Sequence, residues 1–406
     1  MKDSVVINPN KLKGTVVVPP SKSAAHRAIL CAALSSGTSV IKNIAESEDI
    51  KATISAVRAL GAKVTVNDSI LTVKGAEKKE LADADIFCNE SGSTLRFIIP
   101  IALAFGGKFT VSGKGRLMSR PLDDYFRIFD EKGISYEKYD DKITFSGKLK
   151  SGEYRLSGNV SSQYITGLIF GLSLLEDDST IVITTPVESI GYIDMTIDMM
   201  KKFGVRIEKS EDYREYKIHT NQCFCATEMT IEGDYSQAAF FLVANELGSD
   251  IRVSGLDETS VQGDRGILDV IEKMREDVSV REINVSQIPD LVPILSVLAV
   301  KSKGITKITG AKRLRIKESD RLSAVTEELS KLGAKIKEFD DSLEIEGETT
   351  FNGGIVESHN DHRIAMSLAI AATVATNKIT INGADSVKKS YKDFWEVFKE
   401  LGGKIN

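Results

Sequence analysis

The sequence predicts an α/β protein of two domains, each built from three β-α-β-α-β-β repeats whose inner helices are buried. Three observations predict it. A helix-ending glycine followed by a strand recurs along the chain. Each repeat pairs a helix that is apolar on nearly every face with an amphipathic one. The length of 406 residues is more than one ordinary core supports.

The recurring junctions read Leu60-Gly61-Ala62-Lys63-Val64, Lys132-Gly133-Ile134, Phe203-Gly204-Val205-Arg206-Ile207, Leu332-Gly333-Ala334-Lys335-Ile336 and Leu401-Gly402-Gly403-Lys404-Ile405. Glycine suits the position just past a helix because it tolerates positive φ. The glycine spacing is 72, then 71, then 129 (about two repeats), then 69 residues. Met274-Arg275-Glu276-Asp277-Val278 is a weaker copy without the glycine.

The apolar helices are expected over Ala24 to Leu34, Thr94 to Phe105, Tyr164 to Leu175, Gln237 to Leu247, Leu291 to Val300 and Ile364 to Thr376. A helix without a polar face belongs in the interior. The amphipathic helices, such as Ile50 to Leu60 and Ser319 to Leu332, belong outside. Val64 to Val73 and Ile336 to Ile345 alternate as strand pairs, with turns at Asn67-Asp68 and Asp340-Asp341. The chain stops inside a repeat and starts with extra strands, Val5-Val6-Ile7 and Gly14 to Val18. The simplest closure has those strands complete the last repeat. Residues 20–229 then form an inserted N-terminal domain, and residues 1–19 with 230–406 a C-terminal domain holding both ends. Two crossing strands would act as a hinge that closes over a ligand.

The composition narrows the function. Apolar residues make up 42% and charged residues 27%, as in ordinary globular proteins. A net charge of −5 gives no bulk attraction to nucleic acid or to a membrane surface. No apolar run is long enough to span a membrane, and the N-terminus lacks a signal-peptide core. Four cysteines fit a reducing cytoplasm, and a monomer is expected. Cys31 and Cys88 read as core. Cys223 and Cys225 fall on one side of a short extended segment near His219, but a metal site there would need further ligands.

A basic site must therefore be local, and it emerges at the starts of the apolar helices. Each is preceded by polar residues: Ser21-Lys22-Ser23, Glu90-Ser91-Gly92-Ser93, Val160-Ser161-Ser162-Gln163, Gly233-Asp234-Tyr235-Ser236, Gln287-Ile288-Pro289-Asp290 and Asn360-Asp361-His362-Arg363. Plain capping accounts for the serines and aspartates. It does not account for Lys22, Arg27, Arg96 and Arg363, since cations are unfavourable at the positive end of a helix. A bound anion would relieve that repulsion and use the free N–H groups. Ser23 and Arg27, and likewise Lys317 and Arg321, are four apart and share a helix face. Arg120, Lys317 and Arg321 lie before or at the start of outer helices. The composite suggests a ring of cations that grips small phosphorylated anions.

These residues resemble a known family. Pro20-Ser21-Lys22-Ser23-Ala24-Ala25-His26-Arg27-Ala28, Gly92-Ser93-Thr94-Leu95-Arg96, Arg120-Pro121-Leu122, Ser161-Ser162-Gln163, Ile316-Lys317-Glu318-Ser319-Asp320-Arg321 and Asn360-Asp361-His362-Arg363-Ile364-Ala365-Met366 are similar, in order, to the motifs of the 5-enolpyruvylshikimate-3-phosphate synthases. The resemblance runs from residue 20 to about 394. It implies the two-domain enolpyruvyl transferase fold. It also implies transfer of the enolpyruvyl group of phosphoenolpyruvate to the 5-hydroxyl of shikimate 3-phosphate with release of phosphate, on the route to chorismate and the aromatic amino acids. It implies no metal and no organic cofactor. By the same resemblance Lys22, Ser23, Arg27, Ser161, Ser162, Gln163, Ser189, Tyr192, Asp290 and Lys317 would contact shikimate 3-phosphate. Lys22, Gly92, Arg120, Gln163, Arg321, Arg363 and Lys389 would hold phosphoenolpyruvate. Lys388 competes with Lys389 for that role, and Ser390-Tyr391-Lys392-Asp393-Phe394 favours Lys389. Glu90 and Arg313 depart from the family, each standing where a commoner version has asparagine. Arg96 falls in neither group and is expected to brace its helix.

Phosphoenolpyruvate carries a carboxylate and a phosphate, and arginine forks match both. The reaction adds a proton to the methylene carbon and removes one from the attacking hydroxyl, then reverses that traffic as phosphate leaves. Tuned carboxylates suit this work. Asp290 is the expected base toward the hydroxyl, Glu318 the expected donor to carbon, and Lys22 a third candidate that assists the departing phosphate. The cations fall on both domains, so closure is expected to complete the ring. The competing reading is the related transferase that uses UDP-N-acetylglucosamine. That family usually carries a reactive cysteine before the arginine equivalent to Arg120, whereas here the loop Gly113 to Ser119 has none. A non-catalytic anion-binding or RNA-end-processing repeat protein is the other alternative, which the acidic charge disfavours.

Overall fold

A computed structural model describes residues 3–76 and 81–406. They divide into two compact units: one runs to Pro19 and resumes as Glu232–Asn406, and the other is Pro20–Ile231. Each unit has its own apolar core.

The unit Pro20–Ile231 holds three four-stranded sheets on one plan, a parallel pair followed by two antiparallel neighbours. In the second sheet Leu81–Phe87 runs parallel to Gly107–Ser112, followed by Lys142–Ser146 and Ser135–Lys138. In the third, Gly152–Leu156 pairs with Ser179–Ile183, followed by Glu215–Ile218 and Ile207–Lys209. In the first, Thr38–Lys42 takes its parallel partner from far along the chain, Glu228–Thr230, and is followed by Ile70–Lys74 and Lys63–Asn67. The hairpin pairs Asn67 with Ile70, so its turn residues are Asp68 and Ser69, one place later than expected. Asp68 takes the turn's positive φ, 51°.

The other unit repeats the plan with one exception. Val280–Asn284, Ile305–Thr309, Leu343–Glu346 and Lys335–Glu338 form one such sheet. Gly354–Glu357 and Ile379–Asn382 form another with Ser4–Asn8, which lies antiparallel to both Ile379–Asn382 and Lys404–Ile405. The first N-terminal strand thus completes the last repeat. The second does not. Lys13–Val17 runs parallel to Asp250–Ser254 in a two-stranded sheet belonging to the fourth repeat. That repeat lacks the expected antiparallel pair. Only residues 275–279 separate the helix Ile267–Met274 from the strand Val280–Asn284, too few for two strands and a turn. This is also the junction without a glycine. At the other junctions Gly61, Gly133, Gly204, Gly333 and Gly402 all have positive φ, from 69° to 98°.

The inner helices are Lys22–Leu34, Gly92–Phe105, Ser162–Leu172, Tyr235–Glu246, Val292–Lys301 and His362–Ala372. Nearly all their residues are buried, as helices without a polar face must be. Two of them approach closely. A Cβ at Gly167 would lie 2.3 Å from the Arg96 carbonyl oxygen, and one at Gly171 2.6 Å from that of Pro100. The spacing of four puts both glycines on one face of Ser162–Leu172, so the backbone of Gly92–Phe105 can rest there.

Candidate functional site

Five of the six inner helices are capped at their start by the side chain just before them, Ser21, Ser91, Ser161, Asp234 and Asp361. The helix Val292–Lys301 has no side-chain cap. The acid placed to cap it, Asp290, instead faces cations. Its Oδ1 accepts from Arg321 at 2.8 Å and lies 3.4 Å from Lys317 Nζ, and its Oδ2 accepts from Arg363 at 2.9 Å. The capping explanation therefore fails at the position assigned the base.

Arg321 is the centre of this cluster. It is 1% exposed, so its charge needs partners. It has three carboxylates: Asp290, Glu318 at 2.9 Å, and Asp361 at 2.8 Å from Nε. Burial alone would lower its pKa, but the carboxylates outweigh burial and hold it firmly protonated. Asp361 is itself fully buried. It accepts from Ser319 Oγ at 3.1 Å and from the Arg363 backbone N–H at 2.9 Å. Burial opposes its ionisation, yet Arg321 and the neighbouring His362 bring its pKa below the ordinary carboxylate range. Arg363 also donates to Ser236 Oγ at 3.1 Å, linking the starts of two inner helices. Lys317 is different. Burial pulls its pKa down to about 8, against the attraction of Asp290, and Arg321 adds to the lowering. Lys389 Nζ donates to the Asn360 carbonyl at 2.7 Å, next to Asp361, while Lys388 pairs outside with Asp385.

The unit Pro20–Ile231 carries a second cluster. Lys22 Nζ pairs with Asp49 at 2.7 Å. Arg27 is buried and donates to Thr196 Oγ1 and to the carbonyls of Ser23 and Tyr192, each at 2.8 Å. Its guanidinium lies over the Phe97 ring, and burial lowers its pKa to about 10. Tyr192 follows Ser189, whose φ of 56° starts the helix Ile190–Lys202 in a strained conformation. Gly92, Arg120 and Gln163 converge on Arg96. Arg96 donates to Gln163 Oε1 at 2.8 Å and to the Pro121 carbonyl at 3.1 Å, and Gln163 donates on to Ser93 at 2.9 Å. A Cβ on Gly92 would lie 2.6 Å from Arg120 Nη1 and 3.0 Å from Arg96 Nη1. Ser161 caps the helix of Gln163, and Ser162 is buried at its start.

The structure thus brings Asp290, Lys317, Glu318, Arg321 and Arg363 together in one unit. In the other it groups Gly92, Arg120 and Gln163, and separately Ser23, Arg27 and Tyr192. Sequence reasoning passed over Asp361, Asp49 and the organising role of Arg96. Asp361 stood in a quoted motif, and an acid capping a helix whose first turn holds an arginine was the available signal. Of the two departures, buried Arg313 donates to the Ser286 carbonyl and adds to the lowering of Lys317. The Glu90 carboxylate lies against Gly115.

Among the described residues one trio could offer a metal ligands, Glu327, Glu328 and His359. Lys331 Nζ already lies 2.7 Å and 2.9 Å from those two glutamates. Cys223 and Cys225 are exposed free thiols, and His219 pairs with Asp178 and Glu208. Among the described residues no helix is long and apolar enough to cross a membrane.

Comparison with known proteins bears on all of this. The family model for EPSP synthase (3-phosphoshikimate 1-carboxyvinyltransferase) matches residues 6–398. The chain is 47% identical over 429 residues to the 3-phosphoshikimate 1-carboxyvinyltransferase of Clostridium novyi, covering 100% of this chain and 98% of that one. It is 49% identical over 419 residues to that of Clostridium perfringens strain 13, covering 98% of each. Among solved structures, EPSP synthase from Acinetobacter baumannii superposes with a TM-score of 0.82 at 24% identity, over 100% of this chain and 99% of that one. The enolpyruvyl transferase NikO from Streptomyces tendae gives 0.78 at 17% identity, over 100% and 99%. Both share the fold.

Proposed function

The chain belongs to the EPSP synthase family, and we propose that the two clusters described above are its working parts. The enzyme transfers the enolpyruvyl group of phosphoenolpyruvate to the 5-hydroxyl of shikimate 3-phosphate and releases phosphate, in the shikimate pathway to the aromatic amino acids.

The observation that carries the assignment is Asp290, a carboxylate drawn off its capping position into contact with Lys317, Arg321 and Arg363. Surrounding cations keep the carboxylate ionised, which is the form that accepts a proton. Asp290 takes the proton of the 5-hydroxyl. Glu318, ion-paired with Arg321, must first take up a proton; it then delivers that proton to the methylene carbon and regains one from the same carbon as phosphate leaves. Lys317, Ser23, Arg27, Ser161, Ser162, Gln163, Ser189 and Tyr192 receive shikimate 3-phosphate. Lys22, Gly92, Arg120, Gln163, Arg321, Arg363 and Lys389 receive phosphoenolpyruvate, with Lys22 also contacting the sugar acid and assisting phosphate departure. Fixed cations stabilise charge as it develops. Arg27 already spends three N–H groups inside the protein. Its main contribution is to fix the carbonyls of Ser23 and Tyr192.

The unpaired thiols support a reducing, cytoplasmic location, and a monomer is the expected state, which sedimentation would check. Phosphate release is the direct assay. Phosphoenolpyruvate with shikimate 3-phosphate should yield phosphate, and with UDP-N-acetylglucosamine none. The reverse pattern would overturn the reading.

A further inference from the structure

We infer that His26 is a positioning residue for the phosphoenolpyruvate part of the site: its Nδ1–H starts a one-way chain of hydrogen bonds, through Thr53 and Thr94, that ends on Ser91, the cap of the helix beginning at Gly92. The inference rests on the assignment of Gly92 and Arg120 to phosphoenolpyruvate.

His26 Nδ1 lies 2.6 Å from Thr53 Oγ1, Thr53 Oγ1 lies 2.7 Å from Thr94 Oγ1, and Thr94 Oγ1 lies 2.8 Å from Ser91 Oγ. All four residues are buried, at 2% exposure or less. Proton counting gives the chain a direction. A hydroxyl has one proton to donate. Thr94 gives its proton to Ser91, which also accepts the Thr94 backbone N–H at 3.2 Å. Thr53 must then supply the proton between the two threonines, because two oxygens at 2.7 Å without one would repel. The carbonyl of Asp49, at 3.4 Å, is the weaker claimant on that proton. With the Thr53 proton used, only His26 can supply the proton in the first link. Nδ1 therefore carries hydrogen and Nε2 carries a lone pair. An imidazolium would also satisfy the first link. Burial disfavours it, and so do the nearby charges of Lys22 and Arg27, so the ring is held neutral.

The chain joins three helices. His26 and Lys22 are four apart on the helix Lys22–Leu34, and Thr53 and Asp49 are four apart on Glu48–Ala59. The Lys22–Asp49 pair at 2.7 Å and the His26–Thr53 bond at 2.6 Å are thus two rungs between the same helices. Thr94 and Ser91 extend the second rung to the start of Gly92–Phe105. A Cβ at Gly92 would come within 2.6 Å of Arg120, so a small shift of this helix start moves the space left for that guanidinium. His26 acts through that placement.

Nitrogen-15 NMR of the wild-type enzyme should show His26 as the neutral Nδ1–H tautomer from pH 6 to 8, and an Nε2–H tautomer or an imidazolium in that range would overturn the inference. His26→Phe and Thr53→Val keep bulk; the first deletes the His26–Thr53 link, the second both links made by Thr53. Both should raise the KM for phosphoenolpyruvate about tenfold and leave that for shikimate 3-phosphate within about twofold, as expected of a small displacement at one binding group. His26→Asn, whose amide nitrogen can occupy the Nδ1 position, should restore most of the loss. An unchanged KM in His26→Phe, or no rescue by asparagine, would count against positioning. Arg120→Lys is the control. If it leaves the KM for phosphoenolpyruvate unchanged, the assignment of Arg120 has failed instead. If a variant does not fold, the tautomer of the wild type still decides.

Discussion

Arg321 and Asp361 meet twice in the interior of their unit, Nε to Oδ2 at 2.8 Å and Nη2 to Oδ1 at 3.4 Å. The same carboxylate caps the helix that carries Arg363. One acid thus fixes two of the arginines assigned to phosphoenolpyruvate.

Removing that acid should cost both stability and binding. Asp361→Ala strips a buried guanidinium of one partner, and breaking one side of a buried pair costs about 3–5 kcal/mol. Urea denaturation should show the loss, and the KM for phosphoenolpyruvate should rise. Asp361→Asn keeps an oxygen for the cap and should be milder. Wild-type stability in the alanine variant would mean that Glu318 and Asp290 suffice for Arg321.

Gly92→Ala tests the space beside Arg120. The new Cβ meets the guanidinium at 2.6 Å, closer than real contacts allow. The arginine is the movable partner, so the fold should survive. The KM for phosphoenolpyruvate should rise by roughly 10- to 100-fold, the scale of about 1 Å of misplacement. Steady-state kinetics with each substrate varied would show it, and the KM for shikimate 3-phosphate should change little.

Lys317 gives a dependence on pH. Its pKa of about 8 lies below that of an ordinary lysine. Below that pH the side chain is charged and attracts the substrate anion. Above it the charge is lost, so the KM for shikimate 3-phosphate should be flat up to about pH 8 and climb beyond it. Stability moves the other way. The unfolded chain keeps this proton to higher pH, so the contribution of this group to stability rises from about pH 8 toward the ordinary lysine pKa. Lys317→Arg should remove the inflection in KM, and its persistence would assign it to another group.

Asp290→Asn and Glu318→Gln test the proton carriers. Each should lower kcat by at least about 100-fold, the usual scale of general acid–base catalysis. Circular dichroism should show both folded. A folded variant with near wild-type turnover would lose its assigned role.

Much of this was legible in the chain itself. Helices such as Gly92–Phe105 are apolar all round, and a strand hairpin follows the junction glycines Gly61, Gly133, Gly204 and Gly333, so periodicity alone locates them. The fourth repeat departs from the pattern of its neighbours, which implies a hairpin there, and the one sign of the departure in the sequence is the glycine missing after Met274. The destination of Lys13–Val17 was also missed, since a parallel pairing across more than two hundred residues leaves no local signal. At the site, recurrence picked out the cations. It could not show that Arg96 reaches Gln163, because that contact depends on Gly167 and Gly171 letting two helices approach. Nor could it show that Arg27 turns inward, since a buried arginine and a ligand-binding one look the same in sequence.

The placement of Ser4–Asn8 bears on how the protein is made. This strand is synthesised before the unit Pro20–Ile231, yet its neighbours, Ile379–Asn382 and Lys404–Ile405, are synthesised after that unit. During synthesis it must wait, with two unpaired edges, until those partners have emerged. The unit Pro20–Ile231 has all its own strands much earlier and can fold on the nascent chain. The waiting strand, Ser-Val-Val-Ile-Asn, is short and mostly apolar, which makes it a segment a chaperone would usefully cover in the interval.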